Sequence, residues 1–202
     1  MIIAVMGNNG VGKTSIARSL QKRLSQDGWG EVIYHPGCQY LILDKIMNLF
    51  FLKKREQKRN EFCQGKKRFL FLLWPFLVYI DSLISYFLFR ILSRKKIFIF
   101  DRYFYDWIVT FEYLGYSTKL LRWLFCSLPI PDVVFLIDVS AKVACERKEN
   151  NFRNLEYYQK RRRIYLEIAE RLKIPVINNQ DSLLHTVETI YTKIREQTNE
   201  TG

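Results

Sequence analysis

Apolar residues in this chain fall in short unbroken runs. They are IIAV (2–5), EVIYH (31–35), IFIF (97–100), DVVFLIDV (132–139) and IPVIN (174–178). Runs of this length, closed by turn residues or charges, predict strands buried on both faces rather than on one. Between them the pattern turns helical. A glycine-rich turn opens a helix that runs to about Leu24, QDGWG (26–30) is a turn, and LHTVETIYTKIRE (184–196) closes the chain. Strand and helix alternate throughout, which predicts an α/β fold: a parallel sheet of about five strands in a three-layer arrangement, with helices on both faces.

The stretch from about 41 to 94 departs from that rhythm. KKREQKRNEFCQGKKR (53–68) carries Lys53, Lys54, Arg55, Lys58, Arg59, Lys66, Lys67 and Arg68 against Glu56 and Glu61. It leads into FLFLLWPFLVYI (69–80), which has no charge, and Asp81, Ser82 and Ser85 follow. A membrane span needs about 20 apolar residues, and Pro75 and Asp81 are expected to interrupt this one. Two readings stay open: a helix pair buried in the fold, or a basic and aromatic surface spanning 53–89 that makes peripheral contact with acidic lipid.

Length and charge narrow the picture further. A chain of 202 residues predicts a single domain over 1–202. Its net charge of +12 suits an anionic partner. Cys38, Cys63, Cys126 and Cys145 are scattered, and His35 and His185 have no metal-like neighbours, so the thiols are read as reduced and the protein as cytoplasmic. The opening MIIAVM is too short for a signal peptide.

Chemistry enters with GNNGVGKTS (7–15): Gly7, Asn8, Asn9, Gly10, Val11, Gly12, Lys13, Thr14 and Ser15. The spacing G-x-x-x-x-G-K-T between a strand and a helix is that of a P-loop. Glycines let backbone N–H groups turn inward on a polyphosphate at a helix N-terminus. Lys13 is placed for the β- and γ-phosphates, and the Thr14 hydroxyl for Mg²⁺. These residues predict the P-loop NTPase fold, with ATP and Mg²⁺ as cofactors. Asp101, at the end of the apolar run IFIF, suits a carboxylate that acts on the metal or its water, and Arg102 beside it can fork onto a phosphoryl group. A basic segment at about 145–163 predicts a lid, with Arg147 and Arg153 as its working cations. Arg161, Arg162 and Arg163 are expected on a solvated helix face.

The order of P-loop, HPG (35–37), DRY (101–103), PDVVFLIDV (131–139) and a basic lid with Glu156 and Tyr165 resembles thymidylate kinase. The resemblance implies transfer of the ATP γ-phosphoryl to a nucleoside monophosphate, dTMP first among them. It implies Asp101 as catalytic carboxylate, Arg102 on the acceptor phosphate, and Arg147 and Arg153 as lid arginines. It also implies an acceptor side drawn from His35, Pro36, Asp81, Arg102, Tyr103, Tyr105 and Asp106, and a homodimer. The departures all lie on that acceptor side. Tyr34-His35-Pro36-Gly37-Cys38 stands where the family usually has Arg-Glu-Pro-Gly-Gly, and Ser82 stands where an arginine is expected. DWIVTF (106–111) replaces a Ser-x-x-Ala-Tyr-Gln segment.

Other nucleotide chemistries fit less well. No Asn-Lys-x-Asp segment reads guanine, and no second acidic pair or recognisable nucleic-acid module is present. Two alternatives remain beside the nucleotide kinase: a kinase of the same fold acting on a different small or membrane-linked acceptor, and a non-catalytic nucleotide-binding protein.

Overall fold

Ile2, Ala4 and Met6 enter one hydrophobic core and Ile3 and Val5 enter another. This is the signature of a strand covered on both faces. The computed structural model describes residues 1–37, 68–116, 118–148, 153–180 and 182–199. Five strands form one sheet: β1 (Ile2–Gly7), β2 (Val32–His35), β3 (Ile97–Asp101), β4 (Val133–Asp138) and β5 (Val176–Asn178). Their order is β2-β3-β1-β4-β5 and every pairing is parallel. Each expected strand is therefore present, and β1 and β3 run on to Gly7 and Asp101.

Helix α1 (Lys13–Gln26) packs Ile16, Ala17, Leu20 and Leu24 against Ile3, Val5 and Ile99. That i, i+4, i+8 stripe faces the sheet, and each such side chain stabilises by about 1.5–3 kcal/mol on burial. The same core receives Val187, Ile190 and Ile194 of the last helix, Leu183–Asn199. The opposite face is covered by four helices: α2 (Arg68–Leu92), α3 (Asp106–Tyr113), α4 (Thr118–Cys126) and α6 (Leu155–Leu172). A short α5 (Ala141–Glu146) follows β4, and the last helix is α7. Asn154 caps α6, its Oδ1 accepting from Tyr157 N at 3.1 Å.

Helix α2 corrects the sequence reading. Pro75 and Asp81 do not break it: both are buried within one continuous helix. Pro75, Val78, Asp81, Ser82 and Ser85 form its inward stripe, so packing against the domain holds the helix despite the lost hydrogen bond at proline. Several of its large apolar side chains lie outside instead, with Phe87 and Ile91 59% and 61% exposed. Only 28% of an 18-residue apolar stretch within Leu73–Leu92 is buried, so a fully buried helix is not what forms here. By length and composition alone this stretch could cross a bilayer. It is tied to the domain by Phe89, whose ring meets Phe98 and Phe100 edge-on at 5.3 and 4.9 Å. The basic run 53–67 and Cys38 and Cys63 lie outside the described residues, while Cys126 and Cys145 are free thiols.

Candidate active site

Register places the site. Val5 of β1 pairs with Asp101 of β3, and Gly7 pairs with Ile137 of β4, so the P-loop leaves the sheet between Asp101 and β4. This is the carboxyl edge of a parallel sheet, at the strand where connections diverge to either side.

The loop's glycines are demanded by close approach. A Cβ on Gly7 would lie 2.3 Å from the Ile137 carbonyl oxygen, and one on Gly10 would lie 2.2 Å from that of Ala144. Gly12 caps α1 in the left-handed region (φ 92) without any side-chain cap, and no acid occupies the first turn. The first N–H groups of α1 are thus left for an anion. Asn8 is buried and its Nδ2 donates to the Tyr158 carbonyl at 2.9 Å, while its Oδ1 accepts from Asn9 N at 2.9 Å. Val11 is in the core, and Thr14 and Ser15 are exposed on the first turn.

Lys13 is 5% exposed and its Nζ donates to the Asn8 carbonyl at 2.6 Å. Burial pushes its amine down to about 7, helped by Arg102 and Arg161 and opposed by Asp106 and Asp101. A polyphosphate between these cations would restore the charge.

Thr14 Oγ1 donates to Asp101 Oδ2, which also accepts from the Tyr34 hydroxyl at 3.1 Å. Among the described residues Asp101 Oδ1 is buried with no hydrogen-bond partner. An orphaned carboxylate oxygen beside a hydroxyl is a hard-oxygen donor set, which fits Mg²⁺ with the remainder of its shell from water and phosphate. Thr14 and Asp101 are the residues that would hold it. Arg102 has φ 102, rare for a side-chain-bearing residue, and its Nη2 donates to Asn9 Oδ1 at 2.8 Å. Gly37 fits tightly beneath this pair, because a Cβ there would lie 2.6 Å from the Asp101 carbonyl oxygen.

The structure thus brings together Lys13, Thr14, Asp101, Arg102 and Asp106. Asp106 is buried and accepts from the Tyr165 hydroxyl and, at 3.3 Å, from Tyr103 N. Arg153 lies over the Tyr157 ring at 4.4 Å and donates to its hydroxyl, which is 3.5 Å from Asn9 Nδ2. Arg147 is exposed, its Nη2 donating to the Asn179 carbonyl at 3.3 Å. Among the other expected acceptor residues, Pro36 is exposed and Asp81 is buried on α2. Tyr103 and Tyr105 are core residues, and the Tyr103 hydroxyl donates to the Pro129 carbonyl at 2.8 Å. The Tyr105 hydroxyl is buried without a partner, and burial raises its pKa well above the usual value. His35 sits against Phe89 and Phe100, with ring centroids 5.0 and 4.9 Å away. Burial lowers its pKa.

Two residues escaped the sequence reading. Asn179 reaches back from the loop after β5, its Nδ2 donating to the Val11 carbonyl at 2.8 Å while its Oδ1 accepts from Thr186 at 2.9 Å. Nothing in the sequence marked it beyond its place just after a strand. Arg161, expected on a solvated face, is 5% exposed. It lies on the inner side of α6, while Arg162 is half-buried on Asp138 and only Arg163 of the three faces outward.

A glycine loop wrapped on a helix N-terminus, with a buried lysine and an acid at the neighbouring strand end, defines a P-loop nucleotide-binding protein of the phosphotransferase kind. The model of the thymidylate kinase family matches residues 5–190, and the chain belongs to that family. A probable thymidylate kinase of Archaeoglobus fulgidus is 27% identical over 183 residues, covering 87% of this chain and 86% of that one. Another, from Sulfurisphaera tokodaii, is 27% identical over 101 residues, covering 48% and 53%. The crystal structure of thymidylate kinase from Ehrlichia chaffeensis shares the fold, with a TM-score of 0.60, 21% identity, and coverage of 96% of this chain and 98% of that one. The chain is a nucleotide kinase of the thymidylate kinase type, a transferase.

Proposed function

We propose that the protein transfers the γ-phosphoryl group of ATP to a nucleoside monophosphate, dTMP first, with Mg²⁺. The observation that carries this reading is the convergence of Lys13, Thr14, Asp101 and Arg102 at the carboxyl ends of β1 and β3. The curated relatives' names support dTMP as acceptor.

In the transfer, the bond from the γ-phosphorus to the bridging oxygen of ADP breaks, and one to an acceptor phosphate oxygen forms. The P-loop amides and Lys13 hold the donor's β- and γ-oxygens, and Asp101 and Thr14 would hold Mg²⁺. The metal ion would neutralise charge on the bridging and γ-oxygens. Arg102 binds acceptor phosphate from the other side. Its guanidinium is already oriented by Asn9, and its φ of 102 is a strain of the kind that marks functional backbone.

ADP formation dependent on added dTMP, lost in Lys13→Ala and Asp101→Ala, is the expected result. ATP hydrolysis indifferent to every monophosphate would sink the monophosphate kinase reading, and ATP binding with neither hydrolysis nor transfer would leave a non-catalytic nucleotide binder. A second acceptor remains in play on one observation: His35, packed on two phenylalanines, stands where the family usually has a carboxylate. A panel of monophosphates, sugars and lipid phosphates assayed with labelled ATP separates the two.

A further inference from the structure

The basic run Lys160-Arg161-Arg162-Arg163 is divided by the fold. Arg162 forks onto Asp138, with Nε 2.9 and 3.1 Å from its two oxygens and Nη2 2.6 Å from Oδ2. Arg163, its side chain 74% exposed, reaches Glu167 only at 3.8 Å. Arg161 does something different. It is buried, and among the described residues it pairs with no carboxylate. Its Nη2 approaches the Tyr165 hydroxyl at 3.4 Å, and its Nε has no partner among the described residues. The guanidinium carbon lies 5.3 Å from the ring centre of Tyr157 and 5.8 Å from that of Tyr165.

Aromatic faces stabilise a buried cation only in part, and a desolvated charge without an anion is costly. Asp106, joined to this cluster through the Tyr165 hydroxyl, does not pair with the guanidinium directly. The two Asp106 oxygens accept from the Tyr165 hydroxyl and from Tyr103 N. Among the described residues the site gathers the buried or half-buried cations Lys13, Arg102 and Arg161 around the carboxylates Asp101 and Asp106.

The placement of Arg161 follows from its helix. The start of α6 is seated on the P-loop, since Asn8 Nδ2 donates to the Tyr158 carbonyl and Asn9 Nδ2 reaches the Tyr157 hydroxyl. One turn further on, Arg161 is close enough to Lys13 to oppose its charge, and it acts on Tyr165 alongside Arg102. It lies with Lys13 and Arg102, on the Asp106 side of the site.

We propose that Arg161 is a catalytic residue of phosphoryl transfer, its guanidinium binding the oxygens of the phosphate that faces Lys13. This rests on the kinase reading above. The burial that costs stability is what makes the guanidinium effective there: with water excluded, its attraction for developing charge is little screened.

The test compares wild type with Arg161→Met and Arg161→Lys. Turnover with ATP and dTMP should fall 10²–10³-fold in Arg161→Met, the scale of losing one transition-state donor, with partial recovery in Arg161→Lys. The ADP dissociation constant should stay within threefold. Thermal midpoints should not fall, because the variant removes an unpaired buried charge. Independently of activity, inorganic phosphate titrated into the ADP-loaded protein should bind at least tenfold more weakly to Arg161→Met. Equal phosphate affinity, or turnover within threefold of wild type, would overturn the assignment. If Arg161→Met fails to fold, the same two readouts on Arg161→Lys decide. Wild type that transfers to no monophosphate, with the phosphate difference intact, would fall on the kinase reading alone.

Discussion

The Thr14 hydroxyl donates to the Asp101 carboxylate, joining the first turn of α1 to the end of β3 across 87 residues of sequence. One Asp101 oxygen is thereby occupied, while the other stays buried and unpartnered. Asp101→Asn keeps the shape and removes the charge, so the fold should persist while turnover drops about 10²–10³-fold. A coupled assay for ADP beside a thermal melt checks both halves. Wild-type turnover in Asp101→Asn would remove this residue from the chemistry.

Gly10 and Gly28 both have φ near +80, at 82 and 75, but only Gly10 is hemmed in. An alanine at 28 meets nothing within 4 Å and should cost about 1 kcal/mol for its backbone alone. An alanine at 10 must push the Ala144 carbonyl away, and with it the loop. We expect a larger stability loss for Gly10→Ala and ATP binding weakened at least tenfold, read by urea melts and calorimetry. Equal losses for the two variants would contradict the close-approach argument.

His35 titrates with a definite sign. Burial lowers its pKa in the folded protein below the usual 6.5, so the unfolded chain binds more protons between the two values. Stability from this residue is complete above about 6.5 and is lost as pH falls toward the folded pKa. Thermal midpoints should therefore drop more steeply from pH 7 to pH 5 in wild type than in His35→Leu. Parallel curves would mean that the ring is protonated without penalty.

Arg122 forks onto Glu112, whose side chain is 5% exposed, and its Nη2 also reaches Glu167 at 2.6 Å. Removing the arginine strands a buried carboxylate. Because the Arg122 side chain is itself 28% exposed, Arg122→Met should cost about 2 kcal/mol, less than the 3–5 of a fully buried pair. Adding Glu112→Gln should return part of the loss. Urea denaturation of the single and double variants measures this coupling.

The loop and acid of the proposed donor side were legible as local structure. A glycine loop needs its residues at fixed spacing between a strand and a helix, and Asp101 needs only to end a strand. The acceptor half was not legible in the same way. Tyr103 and Tyr105 adjoin the chemistry in sequence, yet their rings are spent on packing. Arg161 looked like its neighbours in a basic run, and only the rotation of α6 against the P-loop distinguishes it from Arg162. Asn179 supports the loop from 168 residues away, at a distance no local pattern reports.

Helix α2 marks the same boundary. Its composition announced an apolar helix and left open whether it is buried or lipid-facing, and the fold turns Asp81, Ser82 and Ser85 inward and Phe87 and Ile91 out. Local spacing and hydrophobic runs were enough to specify the five strands, their parallel arrangement and the phosphate loop, because backbone geometry and two-sided burial are short-range demands. Which cations lose their water, which carboxylate oxygen is left without a partner, and which face of a helix meets the sheet were decided only by tertiary packing. Those properties depend on what neighbouring elements exclude or supply, and the neighbours are distant in the chain.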